Sequence, residues 1–218
     1  MKKVYMGVLF FLSILMLSGC FGGQTAEEKM YEIMEETVQK EQPFQEVQQP
    51  LAELEKKEQE IFGNVISLGM KEYDQIVELS DEALINIAER TEKFEIEKTA
   101  LKDAEDHFNS MKDIVGDIED DELKKQAEGL MTIMNDRYEH HDKLVAAYEK
   151  GLELDRTLYE NLKKEDLTME ELEKQITDVN KSYEEIFKAN EAFNQETEKF
   201  NDKKLSFYES ANIEIVEE

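Results

Sequence analysis

The sequence predicts an all-α fold: an elongated antiparallel bundle of three to four long, coiled-coil-like helices, preceded by a shorter N-terminal helix. Charged residues make up 36% of the chain, and it has only two prolines and no tryptophan. This composition is typical of long, surface-rich helices rather than of sheets. Apolar residues recur every three and four positions over long stretches, which is the spacing of one helix face. The acidic segments between these stretches are short, so neighbouring helices must run antiparallel.

The chain begins with a segment that has the build of a secretory signal peptide. Two lysines precede an apolar run over 4–17, which is shorter than the about 20 residues that a membrane span needs. The run leads into Leu-Ser-Gly-Cys at 17–20, which looks like a bacterial lipobox, and the single cysteine has no disulfide partner. We therefore expect residues 1–19 to be a cleaved lipoprotein signal peptide and Cys20 to be lipidated. The alternatives are cleavage near Ala26 with an incidental cysteine, or an uncleaved anchor.

Lipidation would decide where the protein works. Each buried methylene adds about 0.8 kcal/mol, and two acyl chains hold far more durably than one. We expect the mature chain to sit on the outer face of the cell membrane, anchored through diacylglyceryl Cys20. Residues 20–24 would then be a lipidated tether.

The first predicted helix follows the tether. Thr25, with a glutamate three residues later, predicts a capping box and a helix reaching Gln42. Pro43 and Pro50 predict a break, since the residue before a proline is pushed out of helical geometry. On this interpretation residues 25–49 are an N-terminal helix with a proline-flanked linker, and residues 50–218 are the helical bundle domain.

The middle of the chain predicts further helices. A helical stripe resumes at Leu51, and Ser80, followed by two acids, predicts the N-cap of a new helix starting near Asp81. The acidic run 117–122 is interpreted as a solvated turn rather than a calcium loop, because it lacks the glycine and the alternating ligands of an EF-hand. A helix with apolar residues at three- and four-residue spacing follows over 123–162.

The last helix has the clearest start. Thr168 and Glu171 predict a second capping box, and Leu167 and Leu172 stand where a hydrophobic staple would place them. From Leu172 a heptad seam continues to Ala211, as in coiled coils. The seam consists of two alternating sets of positions, and one set becomes polar in the second half of the helix. This predicts a thinner core at the C-terminal end, with the phenylalanines still buried. The phenylalanine and tyrosine stripe is interpreted as core first and as a sugar platform second.

Charge limits the partners. The formal net charge is -27, with 53 acidic and 26 basic residues. Nucleic acid is excluded as a partner, because binding it requires a basic patch. Phosphate-rich wall polymers would also be repelled within about 8 Å at physiological salt. Attraction to the wall would have to be local or bridged by divalent cations.

No catalytic, cofactor-binding or metal-binding residues are predicted. His140 and His141 lie among acids, but adjacent helical residues diverge, so the two imidazoles cannot share one ion. Asp136 and His140 have the useful spacing, whereas His141 lies on the seam and is interpreted as a satisfied core histidine. The chain shows no HExxH motif, nucleophile elbow or phosphate-cradling loop. The sequence therefore favours a protein that is not an enzyme and needs no cofactor.

The residues at 17–20, the segment Ser-Asp-Glu-Ala-Leu at 80–84 opening a long helix, and the charged coiled-coil helices together resemble the YkyA family, Bacillus-type lipoproteins named for cell-wall binding. The resemblance implies a Gram-positive surface lipoprotein with an all-helical extracellular domain. It brings no catalytic or ligand residues with it.

Three hypotheses for function follow. The first is a non-enzymatic, membrane-anchored rod that binds peptidoglycan, other wall material or another envelope protein. The second is a metal-binding or hydrolytic envelope lipoprotein. The third is a membrane-active helical protein, which the sequence disfavours because no second apolar hairpin follows Cys20.

Overall fold

Long helices account for nearly all of the regular structure. The computed structural model describes residues 23–68 and 72–214, and every regular element in these ranges is helical. The predicted signal peptide and Cys20 lie outside the described residues. The elements are α1 Ala26–Lys40, α2 Gln42–Ser67, α3 Tyr73–Phe108, a 3-10 turn Asn109–Met111, α4 Lys112–Val115, α5 Asp121–Leu162 and α6 Met169–Ser210.

The first helix begins at the predicted capping box. The backbone N–H of Glu28 donates to the Thr25 hydroxyl at 3.2 Å, and the backbone N–H of Thr25 donates to the Glu28 carboxylate at 3.0 Å. These reciprocal bonds satisfy two donors that a helix start otherwise leaves free. The second predicted capping box, at Thr168 and Glu171, forms in the same way at the start of α6.

The expected break between Pro43 and Pro50 is not present. Glu41 alone separates α1 from α2, and its amide and carbonyl keep helix-type bonds to Thr37 and Gln45 at 3.1 and 3.2 Å. Pro43 stands in the first turn of α2, where a missing N–H costs little. Pro50 lies inside α2 and should cost about 3 kcal/mol there.

Buried neighbours explain why α2 continues through Pro50. Val47 and Leu51 are 7% and 6% exposed. Burying each side chain contributes about 1.5–3 kcal/mol, which together offsets the cost of the proline. Tertiary packing therefore overrides the local signal, and α1 with α2 forms one nearly continuous rod.

The predicted start near Asp81 is wrong. The third helix already begins at Tyr73, and Ser80 is fully buried inside it, with its hydroxyl donating to the Ile76 carbonyl at 2.7 Å. Ile76 and Leu79 pack against the core. Their burial stabilises the helical turn before Ser80 more than a helix start at Ser80 would stabilise the chain. The capping residues at 80–82 are thus used as ordinary helix residues.

The helices form an antiparallel bundle of four rods, which are α1 with α2, α3, α5 and α6. We call its two ends the Thr25 end, which also holds the 116–120 turn, and the Leu167 end, which holds the turn before α6. One apolar cluster fills the Thr25 end and includes Met30, Phe108, Leu130, Phe200 and Phe207. A second fills the other half and includes Ile61, Ile87, Leu152, Tyr159 and Leu162.

The prediction for the seam of α6 is partly wrong. The phenylalanines at 193, 200 and 207 are buried, as expected. The thinner part of the core is, however, at the opposite end, where Leu172, Ile176 and Val179 are only half-buried. The C-terminal half of α6 packs against Tyr31 and Glu35 of α1, whereas no hydrogen bond or ring contact within the described residues joins α2 to residues 172–186 of α6.

A glycine lets α5 and α6 approach closely. A Cβ at Gly151 would lie 2.9 Å from the Ile186 Cδ1 atom and 3.3 Å from the Ser182 hydroxyl oxygen. The buried Ser182 is itself small, so the two helices meet at a pair of small residues. This close contact between α5 and α6 lies beside the half-buried part of α6.

We expect Thr168→Ala to lower the free energy of unfolding by about 1 kcal/mol, because the cap of α6 loses its acceptor. Chemical denaturation monitored by circular dichroism measures this. Thr157→Ala is the control, since Thr157 is exposed inside α5 and its hydroxyl only bonds back to Glu153. Alanine favours a helix interior, so this control should be neutral or stabilising. An equal loss in both variants would contradict the capping role.

Candidate functional site: charged layers and the outer face of α6

A buried arginine joins three helices in the middle of the second cluster. The Arg90 guanidinium of α3 donates to Asp155 of α5 at 3.1 Å and to the hydroxyls of Tyr148 and Tyr183 at 3.3 Å each. The Tyr183 hydroxyl of α6 also donates to Asp155, at 2.7 Å. Arg90 and Asp155 are each 1% exposed. This arrangement, the Arg90 layer, therefore satisfies a fully buried ion pair from several sides.

Two tyrosines extend the Arg90 layer to α2. The Tyr148 hydroxyl donates to Glu55 at 2.8 Å, and the Tyr159 hydroxyl donates to the buried Glu58. The layer thus places Glu58 and Asp155 near a single guanidinium. All four rods contribute to it.

Burial changes the protonation of these acids. Removal from water raises the pKa of Asp155, and the hydrogen bond from Tyr183 and the charge of Arg90 oppose that rise only in part. Burial likewise raises the pKa of Glu58, and the negative charge of Asp155 adds to the rise. The folded chain therefore holds protons on these carboxyls more tightly than the unfolded chain does.

A second buried arginine lies within the first apolar cluster, beside Met134 and Phe193. Arg137 of α5 binds both carboxylate oxygens of Glu41, at 2.6 and 2.8 Å, and donates to the Thr197 hydroxyl at 2.8 Å. Its guanidinium carbon stands 4.6 Å from the centre of the Phe193 ring, which allows a cation–π contact. The Arg137 layer joins the junction of α1 and α2 to α5 and α6.

The predicted core histidine lies beside this layer. His141 is 5% exposed and its ring packs against Phe193, with ring centroids 5.5 Å apart, so its burial is confirmed. Its Nε2 atom has no hydrogen-bond partner and is 3.6 Å from a Glu97 oxygen. The other Glu97 oxygen accepts from Gln48 at 2.7 Å. The histidine is thus in the core but not satisfied as predicted.

The metal hypothesis draws no support from the described ranges. In residues 23–68 and 72–214, no group of three or more histidine, cysteine, aspartate or glutamate side chains could hold a metal ion. Asp136 is exposed and His140 half-buried, on the outside of α5. In the predicted acidic turn, Asp120 caps α5 by accepting from the backbone N–H groups of Glu122 and Leu123 at 2.9 Å each.

The clearest grooves are shallow and lie on the surface. One, of about 380 Å³, runs between α3 and α5 and is bordered by Lys98, Lys102 and Asp142. The two lysines already pair with acids, Lys98 with Glu149 at 2.8 Å and Lys102 with Asp106 at 2.9 Å. The other, of about 570 Å³, lies beside Pro43. Neither groove brings the Arg90 layer into contact with solvent.

The outer face of α6 is the unusual surface. Phe187 is 63% exposed, a large fraction for a phenylalanine. Asparagines at 180, 190 and 194 surround it on the same side of the helix, and all three are exposed. Asn194 donates to Asn190, one turn away. An exposed aromatic ring among amides differs from the charged surface of the other helices.

None of the helices described, in residues 23–68 and 72–214, is both long enough and apolar enough to cross a membrane.

One known protein family matches most of this chain. The model of the YkyA family, described as "Putative cell-wall binding lipoprotein", matches residues 25–210. The chain belongs to the YkyA family. The predicted resemblance is thereby confirmed, and with it the membership of a lipoprotein family.

A relative within the YkyA family has a similar length. The uncharacterized lipoprotein YkyA of Bacillus subtilis (strain 168) is 36% identical over 201 residues, which cover 92% of this chain and 90% of the relative. A crystal structure of a conserved protein of unknown function from Staphylococcus aureus matches with a TM-score of 0.66 and 19% identity. That match covers 86% of this chain and 97% of the other, and it shows the fold alone.

Sequence reasoning missed the two arginine layers, although a signal for them existed. The chain has three arginines. Arg90 follows the buried Ile87 by three positions and precedes the buried Phe94 by four, so it stands on the apolar stripe. Arg137 follows Met134 by three in the same way. A charge on a seam predicts a buried ion pair, but its partners come from other helices and cannot be read from one stripe.

We expect Arg90→Met to lower the free energy of unfolding by about 3–5 kcal/mol, because Asp155 is left buried without its partner. The double variant Arg90→Met with Asp155→Leu should regain most of this loss, since it buries no unpaired charge. Chemical denaturation measures both. Arg156→Met, an exposed neighbour on α5, is the control and should be neutral. A double variant as unstable as the single one would contradict the pairing.

The raised pKa of Glu58 predicts a pH dependence. Because the folded state binds the proton on Glu58 more tightly, the contribution of Glu58 to stability is fully present below the ordinary glutamate pKa of 4.5 and is lost as pH rises through the raised pKa. We expect Glu58→Gln, which resembles the protonated acid, to exceed the wild type in stability at about pH 8 and to lose that advantage at about pH 4. Thermal denaturation across pH measures this.

Glu92→Gln, on the exposed face of α3, is the matched control. It removes one negative charge without changing the buried layer. If both variants shift stability with pH to the same extent, general charge repulsion rather than the burial of Glu58 is responsible.

Proposed function

We propose that the chain is a non-enzymatic surface lipoprotein, held on the outer face of the cell membrane by a diacylglyceryl group on Cys20, and that its helical rod binds cell-wall material or an envelope partner. The family description supports the lipoprotein class and cell-wall association. The observation that carries the proposal is the place of the lipobox cysteine, which precedes the cap of α1 at Thr25 by only five residues.

This short tether sets the orientation of the rod. An extended chain spans at most about 3.6 Å per residue, so Thr25 cannot be more than about 18 Å from Cys20. The Thr25 end therefore stays close to the membrane, and the Leu167 end is the one free to reach outward. At 1.5 Å per residue, the 42 residues of α5 make a rod about 63 Å long.

Two features support a binding rather than a catalytic role. The carboxyls with raised pKa, Asp155 and Glu58, are buried and bonded to Arg90 and to tyrosines, so a substrate would have no access to them. The grooves beside α3 are shallow and their lysines are paired with acids. No observation on residues 23–68 or 72–214 favours the metal-binding, hydrolytic or membrane-active hypotheses.

We expect Cys20→Ser to release the protein from the membrane, because the serine cannot receive the diacylglyceryl group. Fractionation of cells, with labelled fatty acid to detect the acyl chains, measures this. Ser18→Ala keeps a small residue in the lipobox and should leave the protein in the membrane fraction with its label. A Cys20→Ser protein that stays in the membrane fraction would contradict the anchor.

We expect the mature protein to be retained by purified peptidoglycan in a pulldown, performed with and without Mg²⁺. Because the full chain has a net charge of -27 and the predicted signal peptide removes two lysines from it, retention that needs Mg²⁺ would indicate bridging of the acidic surface by cations. Retention without Mg²⁺ would indicate a local, uncharged contact. Loss of retention in both conditions would remove the wall as the ligand.

A further inference from the structure

One side of α6 carries no charge over seven helical turns. Two neighbouring positions of the heptad repeat lie on this side of the helix. From Ile176 to Asn201, the residues at these two positions are spaced alternately by four and by three, and they form a surface that we call the amide strip. Its members are Ile176, Asn180, Tyr183, Phe187, Asn190, Asn194, Thr197 and Asn201. All charged side chains of this stretch of α6 lie at other positions, although 36% of the whole chain is charged.

The composition of the amide strip is costly for a helix. It holds four of the ten asparagines in the chain. Asparagine is among the poorer helix formers, at up to about 0.7 kcal/mol relative to alanine. Asn180, Asn190 and Asn194 are exposed, so packing against the bundle does not compensate for this cost. A role at the surface accounts for amides at these positions better than helix formation does.

The bundle leaves one part of the amide strip exposed, namely Asn180, Phe187, Asn190 and Asn194, while Tyr183 and Thr197 turn inward to the two arginine layers. At the Thr25 end the same side of α6 is packed against α1, where the Tyr31 and Tyr208 rings are 4.9 Å apart and Lys204 donates to Glu35 at 3.2 Å. Farther along, Phe44 at the start of α2 still reaches Phe193, with ring centroids 5.9 Å apart. Beyond this contact Asn180, Phe187 and Asn190 are exposed, and the Phe187 side chain is 63% exposed.

The chemistry of the strip fits an uncharged polysaccharide. Each asparagine amide offers two donors and an acceptor, which suit hydroxyl and acetamido groups. The exposed Phe187 ring offers an apolar face among these polar groups. A partner helix, or a second copy of this chain, would need a continuous row of apolar anchors, which the strip lacks.

The charged residues beside the amide strip indicate which class of wall polymer it can bind. Glu184, Glu191 and Glu198 are exposed along the next row of α6 and border the strip. At a few ångströms these carboxylates would repel a polyanion, even in salt. An uncharged strand carries no such penalty. The strip therefore matches an uncharged glycan strand rather than a phosphate-rich polymer.

We propose that the amide strip of α6 binds the uncharged, acetamido-bearing glycan strands of the cell wall, with Phe187 as the apolar contact and Asn190 and Asn194 as hydrogen-bonding partners. This inference rests on the proposed function and gives it a surface and a ligand class. Phe187 lies twenty residues from Phe207 at the Thr25 end, or about 30 Å along the rod. The strip thus stands well away from the tethered end.

The test is a binding assay with the complete mature protein in detergent. The probes are peptidoglycan freed of anionic polymers by acid, untreated walls, chitin and cellulose, of which cellulose lacks acetamido groups. We expect stripped peptidoglycan and chitin to retain the wild type more than cellulose does. Phe187→Ala, and Asn190→Ala with Asn194→Ala, should each weaken retention roughly tenfold. The changed side chains are exposed, so circular dichroism should stay unchanged.

Matched controls separate this surface from exposure in general. Ile85→Ala removes an apolar side chain of α3 that is also 63% exposed, and Asn135→Ala removes an exposed amide of α5. Both should bind as the wild type does. Weakening by the strip variants alone supports the proposal.

The other outcomes overturn it in distinguishable ways. If the wild type is retained and the strip variants are retained equally, the inference fails while the proposed function stands. If only walls that keep their anionic polymers retain the wild type, the inference also fails while the proposed function stands. If sedimentation shows that Phe187→Ala turns a dimer into a monomer, the strip is an interface between copies. If no wall material retains the wild type, the proposed function fails and the inference fails with it.

Discussion

The burial of two arginines is the constraint on which the bundle depends. The carboxylates of Asp155 and Glu41 are buried in the core, and a buried charge needs an opposite charge or hydrogen bonds beside it. Arg90 and Arg137 meet that need: Arg90 joins α3 to α5 and α6, and Arg137 joins α5 to α6 and to Glu41 between α1 and α2. A buried ion pair is satisfied only when its partners face each other. A helix displaced by one turn, about 5.4 Å, would leave charges unpaired, so the two layers select one register.

The apolar clusters take their places around these layers. One fills the Thr25 end and contacts the Arg137 layer, and the other fills the Leu167 half and contacts the Arg90 layer. Because α1 packs on only the C-terminal half of α6, the remaining half keeps apolar and amide side chains at its surface. In the proposed function, the covered end faces the membrane and the uncovered half faces the wall. The packing and the tether thus assign different tasks to the two halves of the rod.

Local signals in the sequence predicted what depends on neighbours in the chain. The capping boxes at Thr25 and Thr168 and the heptad spacing of α6 gave correct starts and a correct buried face, because a cap or a stripe is complete within one helix. The predictions made from Ser80 and Pro50 were wrong, because packing against other rods overrode the local preferences of these residues. The partners of Arg90 and the exposure of Phe187 depend on how rods meet, which no single stripe contains. Lipidation of Cys20 remains a prediction of the sequence.

Pulsed electron paramagnetic resonance between spin labels at Glu60 of α2 and Glu184 of α6, both exposed, tests the central claim most directly. With Cys20 replaced by serine, the chain should give one narrow distance distribution. Replacing Arg90 and Arg137 by methionine, with Asp155→Leu and Glu41→Leu so that no buried carboxylate is left unpaired, should broaden it and add a population displaced by about 5.4 Å, while circular dichroism stays helical. The same narrow distribution in the variant without these arginines would contradict the claim that the layers set the register.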